Sequence, residues 1–224
     1  MGGRHFLTFA HRHVLCPRCG SQVRHRLIGA AVTWLPALAA QVPRQGAFLH
    51  LSPEYCLVEF FRPLARRYVR GDFAAEDRDV FVDITNMAGI SNASFDVLIA
   101  CDVLEHIEDD RRAMREIFRI LRPGGTAILT VPQADGEVAT HEDPAIRTAE
   151  QRAKVYGQFD HVRNYGSDFP DRLRAAGFEV TEVDASDFPA ELVRRHVLQP
   201  PEPLETPWGW NRRRIHFARR PLSS

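Results

Sequence analysis

The strongest constraint on the fold is the stretch 94–132, SFDVLIACDVLEHIEDDRRAMREIFRILRPGGTAILTVP. It opens with an apolar run, 95–101, too short for a buried helix and bounded by polar residues, which predicts a strand buried on both faces. From 111 to 121 the apolar positions Met114, Ile117, Phe118 and Leu121 recur at three and four residues, with Asp109 and Asp110 placed where a helix N-terminus favours negative charge. Pro123, Gly124 and Gly125 are expected to stop that helix, and 126–131 reads as a second apolar strand. A strand, helix, strand unit of this length predicts parallel pairing in an α/β sheet.

The remaining chain supplies further elements. A leucine and alanine segment, 27–40, predicts a helix bent or interrupted at Pro36, and 46–51 a first strand followed by a helix over 55–67. Strands are expected at 67–72, 80–85, 178–183 and 214–219, with helices around 149–156 and 168–176. Asp72 closes its strand about 20 residues after the first turn, where nucleotide-binding α/β folds place an acid for ribose hydroxyls. At 224 residues the chain has room for one domain with a substantial core and a small appendage.

The run FDVLIACDVLEHI, then LRPGG and a strand ending in VP, resembles the fourth and fifth strands of class I S-adenosylmethionine-dependent methyltransferases. The resemblance extends to a subgroup of small bacterial methyltransferases through CPRCGSQVRHR at 16–26, LHLSPE at 49–54 and DHVRNYG at 160–166. It implies a seven-stranded Rossmann-like sheet, order 3-2-1-4-5-7-6 with the last strand antiparallel. A cysteine-containing appendage over 1–28 would precede a methyltransferase domain over 29–224.

The resemblance also implies a cofactor site. His50, Ser52 and Glu54 stand where most such enzymes carry an acid and a glycine-rich turn, and Glu54 would meet the cofactor ammonium or serve only as a helix N-terminal acid. Asp83 matches the position that meets the adenine amino group, with Ile84 beside it. Cys101, Asp102 and Leu104 arrive at the carboxyl edge of the sheet, where ligands bind in such folds. His161 and Arg163 in DHVRNYG, with His106, are the catalytic candidates. His161 would act as a base toward a hydroxyl, oriented by Asp160 or Glu142, or else the motif is structural.

Cys16 and Cys19 form a Cys-x-x-Cys turn able to present two thiolates to zinc. One pair is half of a tetrahedral site, and His13 has credible spacing to join it. The alternative is a structural remnant. Trp208 and Trp210 could stack on a planar or sugar acceptor, or anchor their loop. The formal net charge is zero, and nearly all basic residues are arginine, with Lys154 the single lysine. No global field attracts nucleic acid, and no segment approaches the apolar length of a membrane helix. With four cysteines that do not resemble a disulfide scaffold, cytoplasm is expected. The function expected is methylation of a small molecule, preferably at oxygen. The rivals are an inactive methyltransferase-like binding module, and an RNA or protein methyltransferase that grips its substrate through the appendage.

Overall fold

The computed structural model describes residues 15–74, 76–200 and 213–222. At its centre β4 (Phe95–Cys101) leads through a short turn to α4 (Asp110–Ile120) and β5 (Leu121–Thr130), which returns parallel to β4. Asp109 caps α4 by accepting from the Arg112 N–H at 2.9 Å, which satisfies one of the donors every helix start leaves open. The apolar stripe of α4 places Ala113, Met114 and Ile117 in the core.

Around this unit lie α1 (Val23–Trp34), α2 (Pro36–Ala39), β1 (Gly46–Leu51), α3 (Tyr55–Phe61), β2 (Ala65–Asp72) and β3 (Val80–Phe81). After β5 come α5 (Ala149–Tyr156), α6 (Phe169–Ala175), β6 (Glu179–Val183), α7 (Ala190–His196) and β7 (Ile215–Arg219). The seven strands form one sheet in the order β3-β2-β1-β4-β5-β7-β6, with β7 antiparallel to both neighbours. This is the Rossmann-like methyltransferase fold.

Both faces of the sheet are covered, which explains why β4 carries no polar alternation. Leu98 and Ala100 pack with Leu49, Met114 and Phe169 on one face. Val97, Ile99 and Cys101 pack with Phe48, Phe61 and Leu27 on the other. Helix α1 runs unbroken across residue 28 and buries Val23, Leu27 and Ile28, so the cysteine turn is joined to the sheet through a packed helix. Pro36 interrupts the expected helix and opens the second one, at a position that needs no N–H donor.

Three boundaries differ from expectation. Helix α4 ends at Ile120, before Pro123, and Leu121 already pairs with Phe95. The pairing then resumes only at Val97 with Thr126, so Arg122 to Gly125 form a bulge in β5 and do not stop the helix. Helix α3 ends at Phe61 and not at 67, because Pro63 follows and β2 starts at Ala65. The third strand is two residues long instead of six. Val82 turns into the core, and the Asp83 carboxylate accepts from the Thr85 N–H at 2.8 Å and from its hydroxyl at 2.7 Å, which draws the chain into a turn. No helix among the described residues is long and apolar enough to cross a membrane.

Candidate active site

In this strand order β1 lies between β2 and β4, and the chain leaves β1 and β4 in opposite directions, opening a crevice at their carboxyl ends. Two backbone strains mark its floor. Ser52 after β1 has φ 45° and Asp102 after β4 has φ 51°, both left-handed and costly for residues other than glycine.

Glu54 is the N-cap residue of α3, yet its carboxylate makes no bond back to that helix. It turns instead into a basic cluster. His25 Nε2 lies 3.1 Å from Oε1, Arg24 Nη2 3.5 Å from the same oxygen, and His50 Nε2 3.4 Å from Oε2. Burial opposes the charge on Glu54, but His25, His50 and Arg24 outweigh it and hold the carboxyl at about 2. The ring tautomers follow from their other partners. His25 Nδ1 accepts from the Gln22 N–H at 3.1 Å and lies 3.2 Å from the Cys56 thiol, so Nε2 carries the proton toward Glu54. Burial lowers the pKa of His25, consistent with a neutral ring. His50 is fully buried, and its Nδ1 lies 2.6 Å from the Tyr68 hydroxyl, which burial keeps protonated. Tyr68 therefore donates, and Nε2–H of His50 is left facing Glu54.

Arg24 crosses the crevice. Its Nε stands 3.3 Å from Asp102 Oδ2, while the Thr130 hydroxyl donates to Asp102 Oδ1 at 2.7 Å. Burial opposes ionisation of Asp102, but Arg24, Arg213 and Thr130 prevail and keep its carboxyl below the usual range. Two donors and one acceptor of this cluster are held only by these long ion pairs: among the described residues, Arg24 Nε, His50 Nε2 and Glu54 Oε2 are buried without a partner in hydrogen-bond geometry.

The other expected cofactor residues fall around the same edge. Asp72 ends β2, and its Oδ1 accepts from the Ala74 N–H at 2.7 Å. Asp83 makes the turn already described. Ile84 and Leu104 are buried in the core face lined by α4. Cys101 is buried, and burial raises its thiol pKa well above the ordinary value, so it is a neutral part of the wall.

A second cluster sits just past β4. Glu105 is buried, and among the described residues neither of its carboxylate oxygens has a hydrogen-bond partner. Burial, with Asp102 nearby, raises its pKa well above the usual carboxylate range. His106 Nε2 lies 4.0 Å from Glu105 Oε1, and His106 Nδ1 lies 3.3 Å from Asp160 Oδ2. His161 packs edge-on against His106, with ring centroids 4.8 Å apart, and its Nδ1 lies 3.2 Å from the Tyr156 carbonyl. Burial, with His106 adding to it, pushes the His161 pKa down to about 4.

The DHVRNYG segment thus faces the turn after β4 almost residue by residue. Val162 N–H donates to the Glu105 carbonyl at 2.8 Å. Arg163 donates to the carbonyls of Leu104, Ile107 and Glu108 and, at 2.8 Å, to Glu142 Oε2. The Tyr165 hydroxyl donates to Asp110 Oδ2 at 2.8 Å. Of the two acids expected to orient His161, Asp160 pairs with His106 while also acting electrostatically on His161, and Glu142 pairs with Arg163 and Arg172. Glu105 is not among the residues that the motifs single out, and the run Arg24-His25-Arg26 reads from sequence either as solvated surface or as a segment that helps position substrate or cofactor. The signal for Glu105 was an acid directly following the apolar sequence that enters the crevice.

The cysteine turn is well formed. Gly20 N–H donates to the Cys16 carbonyl at 2.8 Å, and backbone donors from Cys19 and Arg18 lower the Cys16 pKa. Among the described residues, no third potential ligand joins Cys16 and Cys19 in a metal-binding group. His13, Trp208 and Trp210 lie outside the described residues.

Residues 52–129 match the family described as Methyltransferase domain. A curated relative from Mycolicibacterium paratuberculosis, described as an uncharacterized methyltransferase, is 30% identical over 124 residues, 52% of this chain and 45% of that protein. The match therefore spans less than half of that relative's length. Among solved structures, an S-adenosylmethionine-dependent methyltransferase from Mesorhizobium loti superposes with a TM-score of 0.53 at 18% identity, covering 85% of this chain and 98% of the other. The 1,6-didemethyltoxoflavin-N1-methyltransferase of Burkholderia thailandensis, solved with bound 1,6-didemethyltoxoflavin and S-adenosylhomocysteine, gives a TM-score of 0.55 at 17% identity, covering 88% of this chain and 78% of the other. The match over 52–129 and the order of the sheet agree: this part of the chain is similar to methyltransferase domains, and the whole chain has their fold.

Proposed function

We propose that the protein transfers the methyl group of S-adenosylmethionine to an oxygen of a small-molecule acceptor in the bacterial cytoplasm. The observation that supports it is the buried charged cluster in the crevice, where Arg24 Nε meets Asp102 and Glu54 Oε2 meets His50 only through long ion pairs without hydrogen-bond geometry. A cation and carboxylates held together only by such long contacts are complementary to an amino acid zwitterion, which is the methionine end of this cofactor. Glu54 and Asp102 would take its ammonium, Arg24 its carboxylate, Asp72 the ribose hydroxyls and Asp83 the adenine amino group. His50 and Ser52 shape the turn that the cofactor approaches, Ile84 and Leu104 give apolar wall, and Cys101 closes the floor.

The cofactor supplies an electrophilic methyl group on a sulfonium. The chain's own task is alignment of an acceptor oxygen with that carbon and removal of its proton. Glu105, His106 and His161 form the polar wall past β4 where that oxygen would lie. His106 is the better proton acceptor of the two rings, because Asp160 orients it while burial disfavours a charged His161. Arg163 serves by fixing the turn that carries His106. The segment through residue 28 contributes Arg24 and His25 to the cofactor side, and the balanced charge favours a small acceptor over RNA.

Calorimetry with S-adenosylhomocysteine tests the cofactor reading. Wild type should bind, and Asp72→Ala and Arg24→Met should each weaken binding about 10- to 100-fold, the loss of a charge-assisted hydrogen bond. A folded wild type that does not bind would move the chain to the binding-module reading, in which Arg24 permanently fills the crevice. An acceptor screen that yields methylation only at nitrogen would overturn the oxygen preference.

A further inference from the structure

We propose that Glu105, His106 and His161 bind a divalent transition-metal ion at the acceptor side of the crevice. The three side chains each bring one ligand atom, and these atoms lie within 4.8 Å of one another. Tetrahedral zinc with bonds of about 2.0–2.2 Å needs ligand atoms about 3.3 Å apart, so the cluster has to contract by roughly 1.5 Å. His106 is partly exposed, so its ring has room to turn, and its Nε2 already lies 4.0 Å from Glu105 Oε1.

The surroundings have the features of a metal site. Each imidazole is held through Nδ1 by an acceptor outside the cluster: Asp160 Oδ2 at 3.3 Å for His106 and the Tyr156 carbonyl at 3.2 Å for His161. A ring whose Nδ1–H is held by a carboxylate or carbonyl presents Nε2 to the metal, the usual outer arrangement around metal-bound histidine. Glu105 supplies the third ligand. A buried carboxylate with neither oxygen hydrogen-bonded among the described residues is an expensive feature to keep in a core. A cation accounts for it. The backbone on both sides is pinned as well, since Val162 N–H holds the Glu105 carbonyl and Arg163 holds those of Leu104 and Ile107. Two nitrogens and one oxygen suit zinc, iron(II), cobalt(II) or manganese(II), and leave positions open for an outside ligand.

The role of the ion rests on the methyl-transfer reading. With the ion bound, His106 is a ligand and no longer the proton acceptor: an acceptor hydroxyl on the metal becomes more acidic and releases its proton to solvent. Its oxygen lone pair then forms the new bond to the methyl carbon, the carbon–sulfur bond breaks, and sulfur keeps that electron pair as a neutral thioether.

The test uses the full chain, stripped with chelator and titrated with zinc, and with cobalt(II) followed by visible absorption. One ion per chain is expected, with cobalt d–d bands and no thiolate charge-transfer band. Asp160→Asn, a half-exposed positioning change, should weaken zinc binding about 10- to 100-fold. Glu105→Gln and His106→Ala should each abolish stoichiometric binding, with folding checked by circular dichroism, while a Cys16→Ser, Cys19→Ser double variant keeps it. No binding by the folded wild type, or binding lost only with the two cysteines, overturns the inference. S-adenosylhomocysteine binding measured on the same samples separates this failure from failure of the cofactor reading.

Discussion

Glu54 keeps its charge where burial alone would neutralise it, and the reason lies in three bases from two elements. The folded carboxyl titrates at about 2, whereas an unfolded glutamate titrates at about 4.3. A depressed carboxylate contributes stability that is complete above the unfolded value and disappears as pH falls through the folded one. Glu54 should therefore contribute about 3 kcal/mol at neutral pH, lost between about pH 5 and pH 2. Urea unfolding of wild type and Glu54→Gln across that range checks it: the two stability curves should converge toward pH 2. Curves that stay parallel would mean that the cluster does not hold its charge as drawn. Glu54 was recognisable from its place after β1, but Arg24, His25 and His50 were not recognisable as its partners, because nothing local in a sequence states that residues 24 and 54 meet.

At the level of elements, strands β1 and β4 and helix α5 were readable to the residue, since each is a continuous run with clear punctuation. The bulge in β5 was not. Gly124 has φ +80°, and a Cβ on Gly125 would stand 2.9 Å from the Arg122 carbonyl and 3.0 Å from that of Asp96. These neighbours are backbone atoms and cannot swing aside. The same Pro-Gly-Gly letters suit a helix stop, so only the pairing of Leu121 with Phe95 distinguishes the two. Gly125→Ala should destabilise the domain by about 1–3 kcal/mol without changing affinity for S-adenosylhomocysteine, because the bulge lies at the far end of the strand from the crevice. Gly89→Ala, with open space around it, is the control. Equal denaturation midpoints for the two variants would show that the bulge tolerates a side chain. The third strand was overread and α7 was missed for a related reason. Val82 and Ile84 look like strand residues but are drawn into the core by the Asp83 turn, and the short 190–196 segment buries no residue of its own.

Across the whole molecule, the DHVRNYG segment joins two parts of the chain that the sheet alone does not connect: the turn after β4 and the long insertion after β5. Isolated bridges pair Gln133 with Tyr165 and His141 with Asn164, so the insertion is stitched to the same segment from its other side. Arg163 is the centre of that join. It is only 3% exposed, and its donors go to three backbone carbonyls and to Glu142. Its place in a motif next to a histidine suggested catalysis. The geometry favours a positioning role, since a guanidinium fork matches three carbonyls in a way that a lysine cannot. Arg163→Lys keeps the charge but leaves at least one buried carbonyl unpaired, which costs roughly 1–3 kcal/mol. It should lower the denaturation midpoint and raise hydrogen exchange at the amides of 104–108, with the zinc affinity of the adjacent cluster falling in step. A residue that touches the acceptor would behave otherwise: Arg163→Lys would leave stability and exchange unchanged and weaken acceptor binding alone. That second pattern would return Arg163 to the catalytic set and reduce the join to Tyr165 and Asp110.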